Sequence, residues 1–300
     1  MRINVDNFRV PINGKIDLKD YDPDWTPKWA ATKEGKEDKK GAKKLALSLL
    51  DENRRKLSGM QELFWASNSY SILIILQGMD AAGKDGVISH VMSGVNPQGC
   101  QVTGFKTPSE EDLDHDFLWR YSKALPERGR IGIFNRSYYE DVLIVKVRPE
   151  VLEKNKLPPG SRDKRFWNQR YDDINAFERH LVRNGTVILK FFLNISKESQ
   201  RQRLLKRLED PEKNWKFSIT DLSEREKWKD YMDAYQEVLD KTSTEWAPWY
   251  IIPADKKWVT RASVSEILVS KIAELDLKYP VLTKEQMDEL EKAKVSLCRK

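Results

Sequence analysis

The sequence predicts an α/β fold on a mainly parallel five-stranded sheet, and three observations predict it. Short, nearly all-apolar runs recur along the chain, helical segments separate them, and the first run leads directly into a glycine-bounded loop that opens a helix. Strands buried on both faces lose the polar alternation of one-sided sheets. Helices between successive strands impose right-handed crossovers and a parallel sheet covered on both faces. In such sheets ligands gather at the carboxyl edge of the strands.

The first thirty residues carry Pro11, Pro23 and Pro27 with Trp25 and Trp29, which reads as an extended arm anchored by aromatics. A charged stretch from Lys33 to Lys44 leads into a helix on which Leu45, Leu49, Leu57 and Phe64 recur at roughly helical spacing. Ile72-Leu73-Ile74-Ile75-Leu76, within Ser71 to Gln77, is a fully buried strand by its continuous apolar character. After Lys84, Val87, Ile88, Val91 and Val95 mark one apolar helix face.

Gln101 to Phe105, Arg130 to Phe134, Thr186 to Leu193 and Trp249 to Ile252 supply the other four strands. Helices are expected over Glu111 to Lys123, Asp163 to Arg183, Ser196 to Leu208 and Arg261 to Leu277, with a charged helix or tail from Thr283 to Lys300. The chain divides accordingly into an N-terminal arm and helix (1–66), a core (67–280) and a terminal extension (281–300).

The 300 residues, 39% hydrophobic and 33% charged, supply a sizeable core and exclude wholesale disorder. Cys100 and Cys298 lie far apart, and three scattered histidines complete no ligand spacing, which argues against a disulfide framework or zinc site. Met1 to Asp6 has no signal-peptide apolar core, and no run reaches the roughly 20 apolar residues of a membrane span. A cytoplasmic protein without a membrane partner is expected. The net charge of +6 attracts a polyanion only if the cations are concentrated on one surface.

Gly78-Met79-Asp80-Ala81-Ala82-Gly83-Lys84 fits G-x-x-x-x-G-K in the required place, between a buried strand and an amphipathic helix. Glycines at 78 and 83 let the backbone wrap phosphate oxygens, while amides from the loop and the helix start point inward with Lys84. Gly78, Ala81, Ala82, Gly83, Lys84, Asp85 and Gly86 form this candidate phosphate cradle. A turn that merely links strand to helix requires neither Lys84 nor Asp80. The usual motif ends in Ser or Thr, whose hydroxyl binds Mg²⁺, but here position 85 is Asp, so Asp80 becomes the candidate metal ligand.

Read with Phe134-Asn135-Arg136-Ser137-Tyr138-Tyr139-Glu140-Asp141-Val142, the loop resembles the second family of polyphosphate kinases. Asn96-Pro97-Gln98-Gly99, His115-Asp116-Phe117-Leu118-Trp119-Arg120, Asn214-Trp215-Lys216-Phe217-Ser218 with Asp221-Leu222, and Ala247-Pro248-Trp249-Tyr250 leading to Pro253-Ala254-Asp255-Lys256-Lys257 extend the match over roughly residues 60 to 280. The resemblance implies a P-loop kinase fold like that of thymidylate kinase, three-layered with a helical lid around 201–222. It also implies Mg²⁺-dependent (or Mn²⁺-dependent) phosphoryl transfer between inorganic polyphosphate and nucleoside mono- or diphosphates, by a homo-oligomer that is a dimer or tetramer and has no nucleic-acid partner.

On this reading Asp80, Lys84, Asn135, Arg136 and Glu140 are catalytic, and Asp80, Asn135 and Glu140 hold the metal. Many relatives carry an acid where Asn135 stands; an amide is a weaker ligand, and Glu140 or Asp141 compensates. The Asn form with a following Glu is similar to the subgroup accepting both mono- and diphosphates. Arg203 and Arg207, one helical turn apart, and Lys216 are expected on phosphate, whereas Arg201 and Lys206 read as a solvated face. Lys106, Arg120 and Tyr138 are the nucleotide-binding candidates; Tyr138, Trp119 and Trp215 could equally serve a core or hinge. Two other readings stay open: an ATP-dependent nucleoside monophosphate kinase of the same fold, and a non-catalytic polyanion-binding protein.

Overall fold

A computed structural model describes residues 2–12, 14–27 and 38–298. Five strands, β1 (Ser71–Gln77), β2 (Cys100–Gly104), β3 (Ile131–Asn135), β4 (Thr186–Asn194) and β5 (Trp249–Pro253), form one sheet in the order β2-β3-β1-β4-β5. Every pairing is parallel, with Ile75 of β1 level with Phe134 of β3 and Lys190 of β4. β1 and β5 are buried at every position, as continuous apolar strands require. The all-parallel order places the loops after β1, β3 and β4 on one edge.

Twelve α-helices stand among the described residues: α1 (Lys39–Ser67), α2 (Lys84–Val91), α3 (Glu110–Leu113), α4 (Trp119–Ser122), α5 (Ile144–Val147), α6 (Pro149–Leu152), α7 (Lys164–Arg183), α8 (Lys197–Glu209), α9 (Thr220–Glu226), α10 (Trp228–Thr242), α11 (Lys257–Ala273) and α12 (Lys284–Cys298). α1, α2 and α11 pack together on one face of the sheet; α7 and α10 pack together on the other. None is long and apolar enough to cross a membrane among the described residues.

Three helical expectations differ from what is found. Glu111 to Lys123 is not one helix but α3 and α4, because Ser109 and Asp112 close a capping box on the first and Asp116 accepts from the Leu118 amide as the second starts. Arg261 to Leu277 begins four residues earlier and ends at Ala273, and the helix expected to reach Val95 stops at Val91, before a turn from Met92. On α1, Leu49, Leu57 and Phe64 are buried while Leu45 is exposed.

The N-terminal arm closes the β5 edge. Arg9 bridges Tyr250 in antiparallel fashion, the Val10 amide donates to the Trp249 carbonyl at 2.9 Å, and Phe8 meets Trp25 edge to face. Trp29 and the charged stretch from Lys33 to Glu37 lie outside the described residues.

Beneath the β3 exit sits a wholly buried polar network. Lys190 Nζ donates to Glu178 Oε2 at 2.6 Å, to the Thr242 carbonyl and to the Tyr139 hydroxyl, while the Tyr138 and Tyr139 hydroxyls both donate to Glu178 Oε1 at 2.8 Å. Burial pulls the Lys190 pKa down and Glu178 opposes that pull. Removing one member strands the other charge, so Lys190→Met is expected to cost about 3–5 kcal/mol in urea unfolding. Adding Glu178→Gln to it should recover a substantial part of that loss.

Candidate active site

Gly78 opens the loop at φ +149°, where a Cβ would stand 2.9 Å from the Leu193 carbonyl oxygen of β4. Gly83 caps α2 at φ +113°, leaving the first helical amides without a side-chain cap. Between them Ala81 holds φ +62°, a left-handed conformation that costs a non-glycine residue. Strain kept in a phosphate-loop motif is the pattern of a preorganised site.

Lys84 is buried against this loop, its Nζ donating to the Gly78 carbonyl at 2.6 Å and reaching toward that of Met79. Desolvation, with Arg136 adding to it, lowers the Lys84 pKa against the opposing pull of Asp80, Glu140 and Asp85. Asp80 shows the converse: burial pushes its carboxyl up, but Lys84, Arg136 and Arg207 together hold it below its ordinary value.

Arg136 joins the two motifs. At the end of β3, with φ +66°, its guanidinium donates to Asp80 Oδ1 at 2.6 Å and lies 3.8 Å from Glu140 Oε2. Glu140 and Asp80 raise its pKa against desolvation. Its own amide donates to the Leu76 carbonyl, and Gln77 donates to Ser137, so the ends of β1 and β3 are tied by backbone and side chain. Asn135 Nδ2 donates to Asp85 Oδ1 at 2.8 Å, leaving the amide oxygen without a donor among the described residues. Asp80, Lys84, Asp85, Asn135, Arg136 and Glu140 thus form one contiguous set.

Arg203, on α8, is a brace. Its guanidinium donates to the carbonyls of Ala81 and Ala82, each at 2.9 Å, and to those of Ala254 and Asp255, pinning the loop to the β5 exit. Gln200, one turn earlier, donates to the Asp80 carbonyl at 3.0 Å. Arg207 reaches Asp221 at 3.2 Å, and Lys216 lies exposed with its Nζ over the Trp215 ring. Arg203, Lys206, Lys213 and Arg261 all bear on Lys257, whose pKa is lowered by desolvation and then by these like charges.

Of the nucleotide-binding expectations, Tyr138 needs correction. It is fully buried, ringed by Tyr121, Tyr139 and Phe177, and bonded to Glu178, so no face is left for a base. Trp119 is stacked on His115 at 3.8 Å. Arg120 donates to the Lys106 carbonyl and the Tyr121 hydroxyl and lines a cavity of about 780 Å³, whereas Lys106 is exposed outside its lining.

That cavity went unread in the sequence. Phe117, Phe166, Phe177, Arg120, Arg170 and Asp141 are among its walls, with no residue of the phosphate loop. Arg170 packs its guanidinium over Phe117 at 4.0 Å, and burial lowers its pKa. Desolvation pushes the Asp141 carboxyl up to about 7 against the pull of Arg170 and Arg120. The available signal was a charged residue beside the apolar stripe of α7, where Arg170 precedes Tyr171 and Ile174.

A glycine-bounded loop carrying a buried lysine, at the carboxyl edge of an all-parallel sheet, defines a P-loop kinase fold and an enzyme class that transfers phosphoryl groups. The Polyphosphate kinase 2 family model matches residues 39–280, and the chain belongs to that family. It is 48% identical over 291 residues to an ADP-polyphosphate phosphotransferase of Rhodopseudomonas palustris, covering 97% of each. It is 45% identical to an AMP/ADP-polyphosphate phosphotransferase of Meiothermus ruber, over 91% of this chain and 94% of that one. The crystal structure of Polyphosphate Kinase 2 from Arthrobacter aurescens TC1 superposes with a TM-score of 0.85 at 38% identity, covering 99% of both chains.

Two outcomes test this geometry. Arg203→Ala is expected to speed amide exchange across Ala81–Gly86 about tenfold or more, since hydrogen bonds from a charged donor contribute about 1.5–3 kcal/mol; mass-spectrometric hydrogen exchange measures it. Gly78→Ala is expected to destabilise the fold by about 1–3 kcal/mol in chemical denaturation, the cost of a strained φ with the Leu193 clash added.

Proposed function

We propose that the protein transfers phosphoryl groups, with Mg²⁺, between inorganic polyphosphate and nucleoside mono- or diphosphates, taking AMP to ADP and ADP to ATP or the guanine equivalents. The observation that carries this is Arg136 held by Asp80 and Glu140 directly beside the Lys84 loop. Without substrate these charges satisfy one another; an incoming phosphate chain exchanges them for its own oxygens. The cluster of Arg203, Lys206, Lys213, Lys257 and Arg261 supports a polyanion longer than a nucleotide's own phosphates. The activities for which the bacterial relatives are named favour the same donor.

Lys84 and the amides of Gly78 to Gly86 grip the donor, and Arg136 neutralises oxygens of the moving group. Arg207 and Lys216 approach from the lid, while Arg203 keeps the loop in shape. The acceptor base and sugar occupy the cavity, whose volume suits a small-molecule ligand, and Arg120 and Arg170 face its phosphates and ring. An oxygen of the acceptor's terminal phosphate attacks the end phosphorus of the chain. The bond to the next bridging oxygen breaks, and the chain leaves one unit shorter. In-line placement and charge neutralisation carry such a transfer without a covalent intermediate.

Among the described residues no group of three or more His, Cys, Asp or Glu side chains stands ready as a complete metal cage. That fits Mg²⁺, which takes one or two carboxylates and fills its remaining positions with water and phosphate. Asp80 and Glu140, with the free amide oxygen of Asn135, would hold it, and when bound it supplies charge neutralisation between donor and acceptor. A cytoplasmic location and self-association belong to the same reading.

Purified protein given polyphosphate, Mg²⁺ and AMP, with no ATP, is expected to yield ADP and then ATP by chromatography. Lys84→Ala should lower that rate about 10²–10³-fold, the loss typical when one preorganised donor to a transition-state oxyanion is removed. Turnover with ATP alone as donor points to the nucleoside monophosphate kinase reading. Binding without turnover by the unaltered protein points to the non-catalytic one.

A further inference from the structure

The C-terminal α12 stands apart from the rest of the molecule. It buries none of its fifteen residues, and every residue from Lys278 to Cys298 is exposed. A lone helix of this length is marginal in water, because helices in proteins draw most of their stability from a packed face. α12 has such a face but nothing to pack it on. Met287, Leu290 and Leu297, 54%, 56% and 87% exposed, fall with Lys294 at i, i+3, i+7 and i+10, the spacing of a coiled-coil seam. Val295 lies off that stripe.

Charge along the helix identifies what covers it. Glu285, Asp288, Glu289 and Glu291 outnumber Lys284 in its first half, whereas the second half, through Cys298, carries Lys292 and Lys294 and no acid. Segregation of this sense also suits the helix dipole, so charge alone does not require a partner. The apolar stripe does. A second helix laid antiparallel sets acidic half against basic half in both directions at once, and an isologous twofold contact demands such self-complementarity.

We propose that α12 pairs antiparallel with the α12 of a second copy of this chain across a twofold axis, forming a two-helix contact outside the catalytic core. Met287 then packs near the partner's Leu297 and Leu290 near the partner's Lys294. The Lys294 stem covers the seam while its ammonium reaches the partner's Glu291. The exposed link through Tyr279 and Val281 separates this contact from α11 and leaves the catalytic edge open.

The register places Lys284 of one copy beside the partner's Cys298, and this is directly testable. Lys284→Cys, oxidised with copper–phenanthroline at micromolar protein, is expected to run as a covalent dimer on a non-reducing gel. Adding Cys298→Ser should abolish the dimer band. Glu285→Cys, one position on and facing away from the seam, should remain single. Leu290→Asp with Leu297→Asp should halve the sedimenting mass while leaving the thermal midpoint and turnover of the core unchanged, since α12 touches neither core nor site. Failure of Lys284→Cys to cross-link, cross-linking of the unaltered chain through Cys298 alone, or an unchanged mass in the double variant overturns the pairing.

Discussion

The site depends on one ion-paired guanidinium. Arg136 sits at the end of β3 in a left-handed conformation, with Asp80 of the neighbouring loop at 2.6 Å and Glu140 of its own turn at 3.8 Å. Because β1 and β3 are parallel neighbours in register, their exits fall side by side, and the loops they feed are close enough for this charge to span them. An antiparallel pairing would have sent the two motifs to opposite edges. The arrangement also supplies a resting state for charges that otherwise repel: Arg136 adds to the lowering of the Lys84 pKa, and Asp80 and Glu140 pull against it while raising that of Arg136.

Much of this was legible in the residues, for identifiable reasons. A buried parallel strand must be apolar throughout, so Ile72 to Leu76 declared itself, and a phosphate loop must follow such a strand directly. The other strands emerged within one residue of their expected starts for the same reason. Local hydrogen bonding was harder to see. The Ser109–Asp112 box and the Asp116 turn end one helix and start another within a stretch whose composition suits a single one.

Burial of polar groups was harder still, because it is decided by partners distant in sequence. Tyr138 has the composition of a base-stacking residue, but Glu178, forty positions on, and Lys190 beyond it draw its hydroxyl into the core. The cavity wall was missed for a related reason: its arginines and phenylalanines come from α7 and from the α3–α4 region, which meet only in three dimensions. Arg203 was expected on phosphate by the family resemblance; its geometry shows four backbone carbonyls already claiming the guanidinium. A cation can thus serve an anion site indirectly, by fixing the amides that do the binding.

The arm that bridges Tyr250 bears on how the protein tolerates trimming. The family match begins at residue 39, which invites the view that everything before it is dispensable. Yet the Arg9 and Val10 backbone occupies hydrogen-bonding positions along the outer strand of the sheet. A version cut back to the matched region would present an open, largely apolar strand margin to other copies, and would also lose the bonds that Asn194 and Asp255, at the exits of β4 and β5, donate to the Tyr21 and Pro23 carbonyls. Its failure would show as a loss of solubility, through edge-to-edge strand pairing between copies.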